Sequence, residues 1–156
     1  GAGAGAGYTV NVPLEAADSG DRVYRSAMQR IILPVAKAFN PELVLVSAGF
    51  DAALGDPLGG MSVTSGMFGE MTRELMALAP NTPLVLALEG GYNVEVTAEC
   101  ARECVRALLG EPPAPPDPQL QTLSAWESGA MEHADKTLAE VATLYAPFWP
   151  VLAAPP

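Results

Sequence analysis

The stretch from Val46 to Gly60, VSAGFDAALGDPLGG, decides the fold of this chain. It continues the apolar run LVLV, which has the length and the β-branched content of a buried strand. Gly49 ends the run, and a loop rich in Gly then carries two acids, Asp51 and Asp56. In an open α/β sheet this position lies just beyond the carboxyl end of a strand, where such folds bind ligands. An acid with small neighbours and no adjacent Lys or Arg is suited to hold a cation there.

A second stretch repeats this design further along the chain. The apolar run from Leu84 to Glu89 predicts another buried strand, and Gly90-Gly91-Tyr92-Asn93 follows it. If the two strands are parallel neighbours, about 5 Å apart, Asp51 and Tyr92 project from the same edge of the sheet. We therefore expect the carboxylate and the phenol to share one crevice.

The rest of the compact region alternates between strand and helix patterns. Periodicity and turn signals predict, in order, a strand over Tyr8–Pro13, a helix over Asp21–Phe39, a strand over Leu43–Val46, a helix over Thr64–Ala79, a strand over Leu84–Leu88 and a helix over Val94–Leu109. Asp21 and Thr64 are expected to cap their helices, and Pro34 to kink the first one. This order predicts an α/β fold with a parallel sheet.

The C-terminal part has the composition of an appendage. Residues 1–7 are low-complexity Gly-Ala sequence, residues 8–110 form the compact unit, and residues 111–123 predict a Pro-rich, semi-rigid linker. Residues 124–156 predict an amphipathic helix, Ser124 to Tyr145, and a tail without fixed structure. The only histidine, His133, falls in this helix, where we expect a solvated side chain rather than a ligand.

Charge and hydropathy exclude some classes of partner. Acids outnumber bases 18 to 8, and the formal net charge is −10. This balance argues against binding to nucleic acid or to an anionic membrane, because both need clustered Lys and Arg. It would suit a basic partner such as a lysine-rich tail. No apolar run approaches 20 residues and no signal peptide is present, which predicts a soluble, intracellular chain.

The two cysteines, Cys100 and Cys104, are predicted to lie on the same side of one helix. We expect two small, buried thiols in a reducing compartment. A disulfide or a metal pair is the alternative.

The motifs SAGFDA (residues 47–52), GDPLGG (residues 55–60) and LEGGYN (residues 88–93) resemble those of zinc-dependent histone deacetylases, closest to the class II branch with an active-site tyrosine. The similarity runs from about Gly7 to Pro113 and covers the C-terminal part of that catalytic domain. It implies a partial arginase/deacetylase-like, three-layer α-β-α fold, truncated at its N-terminal side, with a C-terminal helical appendage. The Gly-Ala opening without Met suggests a fragment or a truncated gene model.

The resemblance also implies roles for individual residues. Asp51 matches the second of two aspartates that bind the catalytic zinc together with a histidine. Tyr92 would donate a hydrogen bond to the oxyanion that forms when water attacks an amide carbonyl. Asp56 would be a buried carboxylate that supports the loop without binding zinc. The alternatives are that Asp51 only caps a turn or pairs with an Arg, and that Tyr92 is an amphipathic residue at a strand–helix junction.

Three further positions match the substrate channel of the family. Gly90 and Gly91 let the backbone turn sharply and approach the substrate, and Leu58 would line the channel for the acyl-lysine side chain. An apolar residue at this last position fits acetyl-lysine, whereas an acid there marks the polyamine-deacetylase relatives. Tyr8 matches a residue whose carbonyl helps to hold a structural K⁺; core packing of Tyr8 is the alternative.

Part of the family's machinery has no counterpart in this sequence. The family's Asp-x-His ligand segment and its paired histidines lie upstream of the part that this chain matches, and His133 stands alone. The isolated chain is therefore predicted to be inactive, although the resemblance implies Zn²⁺ in the complete domain. The implied substrates are acetyl-lysine proteins such as histones or tubulin, and the implied compartments are the nucleus and the cytoplasm.

Two other functions stay open. A truncated, non-catalytic paralogue could act as an interaction module through its acidic surface and the helix of residues 124–145. A ureohydrolase on the same arginase-like sheet is disfavoured, because the Asp-x-Asp pairs that bind two metals in those enzymes are absent.

Overall fold

A computed structural model of the chain describes residues 1–14, 19–78, 82–115 and 128–153. The order of its regular elements is α1 (Asp21–Ala27), a π-helical segment (Met28–Ile32), α2 (Leu33–Phe39), β1 (Val44–Ala48), α3 (Ser65–Leu78), β2 (Leu84–Leu88), α4 (Val94–Leu108) and α5 (Ser128–Tyr145). Short 3₁₀ turns at Gly3–Gly5 and Pro150–Leu152 lie near the two ends.

The two strands pair in parallel, as the sequence predicts. Val44 is opposite Leu84, and the register continues to Ala48 opposite Leu88. β1 therefore extends to Ala48, two residues beyond the predicted end at Val46. The two strand ends are level, so the loops that follow them start at the same edge of the sheet.

The predicted strand over Tyr8–Pro13 is wrong. This segment forms no ladder with β1 or β2, and the sheet in the described part of the chain has two strands. Its alternating pattern still has a structural meaning, because Val10 and Val12 pack against a hydrophobic cluster below α5. The apolar face was predicted correctly, but a strand also needs a partner for its backbone groups.

The first long helix departs from expectation at two points. Gly20, not Asp21, is its N-cap, and the Asp21 carboxylate instead accepts hydrogen bonds from the backbone N–H and the hydroxyl of Thr64, each at 2.7 Å. Just before Pro34 the helix widens into a π-helical turn, where Leu33 N–H donates to the carbonyl of Met28; the kink at Pro34 stays a prediction. Proline lacks an N–H, so the helical ladder has to be rearranged near this position.

Two hydrophobic clusters hold the elements together. The first joins the strand ends to α3 and α4 through Ala48, Phe50, Ala53, Val63, Met67, Phe68, Cys100 and Cys104. On the other face of the sheet Leu45 and Val85 are exposed. Among the described residues, helices thus cover the sheet on one face.

The second cluster shows how the predicted C-terminal helix packs on the rest of the chain. Ala27, Ile31, Leu138, Val141 and Leu152 form its buried centre, so α5 packs directly on the first long helix. Residues 146–153, predicted to lack fixed structure, turn back so that the Trp149 indole N–H donates to the carbonyl of Gly7 at 2.8 Å. The linker residues 116–123 and the predicted helix start at Ser124 lie outside the described residues.

Truncation of Leu138 tests whether α5 is part of this fold. The side chain is fully buried at 0% exposure, whereas Leu144 on the same helix is 66% exposed. We expect Leu138→Ala to lower the free energy of unfolding by about 2–5 kcal/mol, the usual range for a buried Leu. Urea denaturation followed by circular dichroism measures this change. Leu144→Ala is the matched control and should change the free energy of unfolding by less than about 0.5 kcal/mol. Equal effects of the two substitutions would show that α5 is only loosely packed on the rest of the chain.

The cysteines are as predicted. Cys100 and Cys104 are free and buried. Burial raises the pKa of Cys100 to about 12 and also raises that of Cys104, so both stay neutral thiols. Within the described ranges no helix is long and apolar enough to cross a membrane.

Candidate active site

A cavity of about 810 Å³ opens at the carboxyl ends of β1 and β2. Asp51, Glu89, Gly90 and Tyr92 contribute to its wall at the sheet edge, and Tyr24 of α1 also lines it. The aligned strand ends thus bring a carboxylate and a phenol to one concave surface. This is the crevice predicted from the two motifs.

Backbone hydrogen bonds fix the two loops to each other. Phe50 N–H donates to the carbonyl of Gly90 at 2.7 Å, and Glu89 N–H donates to the carbonyl of Ala48 at 3.1 Å. The pairing of the strands therefore continues into the turns that carry Asp51 and Tyr92. A short apolar run followed by Gly in both motifs produces this common edge.

Two glycines make room for the Asp51 carboxylate. A Cβ on Gly90 would lie 3.0 Å from its Oδ2 atom, and a Cβ on Gly49 would lie 3.2 Å from its Oδ1 atom. Within the described ranges, no ion pair or hydrogen bond to this carboxylate is found. The alternative roles of Asp51, a turn cap or a partner of Arg, have no support in these contacts.

The donor chemistry at Asp51 fits one ligand of a zinc ion. Carboxylate oxygens bind zinc, but a catalytic site uses three protein ligands and an open position. In the part of the chain that the structure describes, no group of three His, Cys, Asp or Glu side chains could hold a metal. Asp51 can therefore supply one of the ligands, and the described residues do not complete the set.

Asp56 organises the loop beside Asp51. Its carboxylate accepts hydrogen bonds from the backbone N–H groups of Leu58 at 2.8 Å, Gly59 at 3.1 Å and Tyr92 at 2.7 Å. Desolvation alone would raise the pKa of Asp56, but donation from these groups and from the backbone of Asn93 lowers it below the ordinary value of 3.8. The carboxylate is thus ionised at neutral pH and ties the loop to the start of α4.

Tyr92 stands where β2 turns into α4. Tyr92 is 57% exposed and contributes to the lining of the cavity. Gly91 before it has φ +133°, and a Cβ there would lie 2.5 Å from the hydroxyl of Thr97, so the turn needs glycine. Asn93 after it caps α4 by accepting a hydrogen bond from the N–H of Val96. The phenol is therefore carried by a tightly specified turn.

Tyr24 is a cavity residue that the sequence reasoning missed. Its hydroxyl donates to the sulfur of Met61 at 3.0 Å. Burial, and secondarily the negative charge of Asp51, raise its pKa above 10.0. Tyr24 lies on the predicted helix Asp21–Phe39, and nothing in the local pattern indicates that this residue lines the same cavity as Asp51.

Two further predicted residues, Leu58 and Tyr8, do not line this cavity. Leu58 is 70% exposed on the loop held by Asp56 and does not border the cavity itself. Tyr8 lies in another part of the fold, where its ring packs edge-on against Phe39 and Trp149. Tyr8 is 65% exposed, so it is not a core residue; its carbonyl role in K⁺ binding stays a prediction.

Comparisons with known proteins identify the family. The family model described as "Histone deacetylase domain" matches residues 1–108. Histone deacetylase 4 of Caenorhabditis briggsae is 40% identical over 154 residues, which cover 97% of this chain and 17% of that protein. This chain therefore belongs to the histone deacetylase family.

Solved structures give the same assignment for the fold. The crystal structure of the HDA15 HD domain aligns with a TM-score of 0.77 and 41% identity over 94% of this chain and 38% of that one. The structure of the histone deacetylase Clr3 aligns with a TM-score of 0.81 and 36% identity over 97% of this chain and 24% of that one. The two-stranded parallel sheet with its helices is thus a partial arginase/deacetylase fold.

The two kinds of comparison differ in their extent over the C-terminal part. The family model ends at residue 108, whereas the alignment with the Caenorhabditis briggsae protein covers 97% of this chain and so extends past residue 123. The chain nevertheless spans only 17% of this relative.

Proposed function

We propose that this chain is the C-terminal part of a zinc-dependent lysine deacetylase that hydrolyses acetyl-lysine to lysine and acetate. The observation that carries the proposal is the placement of Asp51 and Tyr92 on one cavity at the level ends of two parallel strands. Membership of the histone deacetylase family supports the reaction class. Histones are the proposed substrates, with tubulin as another candidate, and the nucleus and cytoplasm are the proposed compartments.

Asp51 would be one zinc ligand in the complete domain. Its carboxylate lies against Gly49 and Gly90, and the nearest protein groups leave its oxygens available. Zinc would supply Lewis-acid activation of water and of the amide carbonyl. Asp56 would hold the loop that carries this ligand, because its carboxylate binds three backbone N–H groups on both sides of the crevice.

Tyr92 would stabilise the charge that develops on the substrate oxygen. A hydrogen-bond donor that is already oriented toward that position costs no reorganisation during the reaction. The turn at Gly91 and the cap at Asn93 hold the Tyr92 backbone, and the presence of Tyr92 in the cavity lining supports this role for its phenol. Leu58, exposed on the neighbouring loop, would contact the aliphatic part of the acetyl-lysine side chain, with Gly90 and Gly91 forming the opposite wall.

Zinc loading and turnover of the full-length protein and the isolated chain test this proposal together. We expect the full-length protein to retain zinc on dialysis and to deacetylate an acetyl-lysine peptide, with inhibition by a hydroxamate. The isolated chain should show no turnover above buffer, because one carboxylate does not hold a catalytic zinc. An inactive full-length protein without bound zinc would instead favour the non-catalytic interaction module. Turnover by the isolated chain would show that catalysis needs no zinc ligands from outside these residues, which would overturn this part of the proposal.

A further inference from the structure

Asn93 makes two hydrogen bonds with opposite ends of its amide group. The oxygen accepts from the backbone N–H of Val96 at 3.3 Å and thereby caps α4. The nitrogen donates to the carbonyl of Gly55 at 3.0 Å, across a separation of 38 residues. The first bond is an ordinary helix cap, whereas the second joins α4 to the loop that follows Asp51.

The contact to Gly55 lies beside a second one. Asp56, the next residue in the loop, accepts from the N–H of Tyr92, the residue before Asn93. Two consecutive loop residues are thus bonded to two consecutive residues of the β2–α4 turn. At the base of the loop, Leu54 N–H donates to the carbonyl of Val63 at 2.8 Å. The loop tip is therefore tied to the turn by the backbone carbonyl of Gly55 and by the side chain of Asp56.

This pair of contacts sets the position of the phenol relative to the carboxylate. Asp51 and Tyr92 sit on two separate loops, and each loop is anchored to its own strand. The bond from Phe50 N–H to the carbonyl of Gly90 joins the two loops next to the strands. Further out, the Asp56 contact is joined by the Asn93 amide, whose second, adjacent contact limits the movement of the Tyr92 turn against the loop. Small errors in such a placement are costly, because a displacement of about 1 Å at a reacting centre can reduce a rate about 100-fold.

We propose that Asn93 is a positioning residue, whose amide ties the Asp51 loop to the Tyr92 turn and so fixes the distance between the Asp51 carboxylate and the Tyr92 phenol. The catalytic consequence rests on the proposed deacetylase function; the tether itself does not. Asn93 touches neither substrate nor metal in this scheme and acts through Tyr92. An Asn fits this task because it offers an acceptor for the helix and a donor for the loop on one short side chain.

Substitution of Asn93 can separate the cap from the tether. Asn93→Asp and Asn93→Ser both keep a good N-cap oxygen, but neither offers the amide donor that reaches Gly55. The neutral Ser controls for repulsion between a new carboxylate and Asp56. Asn93→Ala removes both bonds and shows what loss of the cap adds.

The first readout uses the 156-residue chain itself. Hydrogen exchange measured by NMR should be at least about tenfold faster at the amides of Leu58, Gly59 and Tyr92 in Asn93→Asp and Asn93→Ser, because these amides depend on Asp56 keeping its place. Exchange at the central α4 amides should stay unchanged. Unchanged exchange at the three loop amides in both variants would overturn the tether.

The second readout uses the full-length protein. Asn93→Asp and Asn93→Ser should lower kcat about 10- to 100-fold while KM and the bound zinc change less than about twofold. Equal kcat in wild type and variants would overturn the positioning role, whereas loss of zinc would assign Asn93 to the metal site instead. An inactive wild type would overturn the proposed function, and the exchange experiment still decides the tether independently.

Discussion

Replacing Asp51 by Asn in the full-length protein is expected to remove most of the bound zinc and to lower kcat by more than about 100-fold. Loss of a residue that only supports a metal ligand typically costs 10- to 100-fold in affinity or activity, so loss of the ligand should cost more. Asn has the shape of Asp and fits the space between Gly49 and Gly90. The variant should therefore fold normally, and its defect should be in metal binding. Zinc content after dialysis and turnover of an acetyl-lysine peptide measure the two effects.

Glu95→Gln is the matched control for this experiment. Glu95 is exposed in the first turn of α4 and outside the cavity lining, so the change removes a nearby negative charge of the same kind. It should leave zinc content and kcat within about twofold of wild type, because an exposed charge is screened by solvent and salt. Full zinc occupancy in Asp51→Asn would show that Asp51 is not a ligand. Equal losses in both variants would trace the effect to overall charge.

The sheet edge was predictable because its signals are local. An apolar run, a glycine and a polar residue occur in order in both motifs, and parallel pairing then brings Asp51 and Tyr92 to one edge without further information. The pairing of Val44 with Leu84 confirms this step. The motif glycines were equally informative, since Gly91 has a backbone conformation that other residues rarely adopt.

Elements that depend on distant partners were not predictable in the same way. The Tyr8–Pro13 segment has the alternation of a strand, but alternation reports which side is buried and not whether the backbone has a neighbour to pair with. Asp21 carries the signal of a helix cap, yet its carboxylate is bonded to Thr64, 43 residues away. The segment over residues 8–13 has no partner strand in the described part of the chain, and the Asp21 carboxylate binds Thr64 instead of capping its helix. The local pattern encodes neither outcome.

The packing contacts of the C-terminal region were not predictable, for the same reason. Trp149 and Gly7 are separated by 142 residues, and their hydrogen bond closes the two ends of the chain on each other. A proline-rich stretch before α5 suggested independence, but linker composition says nothing about where the next helix docks. The apolar face of α5 was the usable signal, because Leu138 and Val141 both belong to the buried stripe.

Replacing Tyr92 by Phe in the full-length protein is expected to lower kcat about 100- to 1,000-fold, the usual cost of removing one donor from an oxyanion site. Only the hydroxyl is lost, so the turn at Gly91 and the cap at Asn93 should persist. KM should change little if the hydrogen bond forms mainly as charge develops on the substrate oxygen. Zinc content should equal that of wild type, which separates this variant from Asp51→Asn.

Tyr145→Phe provides the matched removal of a phenol hydroxyl. Tyr145 ends α5 and packs against the second hydrophobic cluster, away from the cavity. Its kcat should stay within about twofold of wild type, because Tyr145 does not line the cavity and only a hydroxyl is removed. A Tyr92→Phe enzyme with wild-type kcat would make Tyr92 a junction residue without a catalytic role. A rise in KM at unchanged kcat would assign its hydroxyl to substrate binding, since uniform binding energy does not lower the chemical barrier.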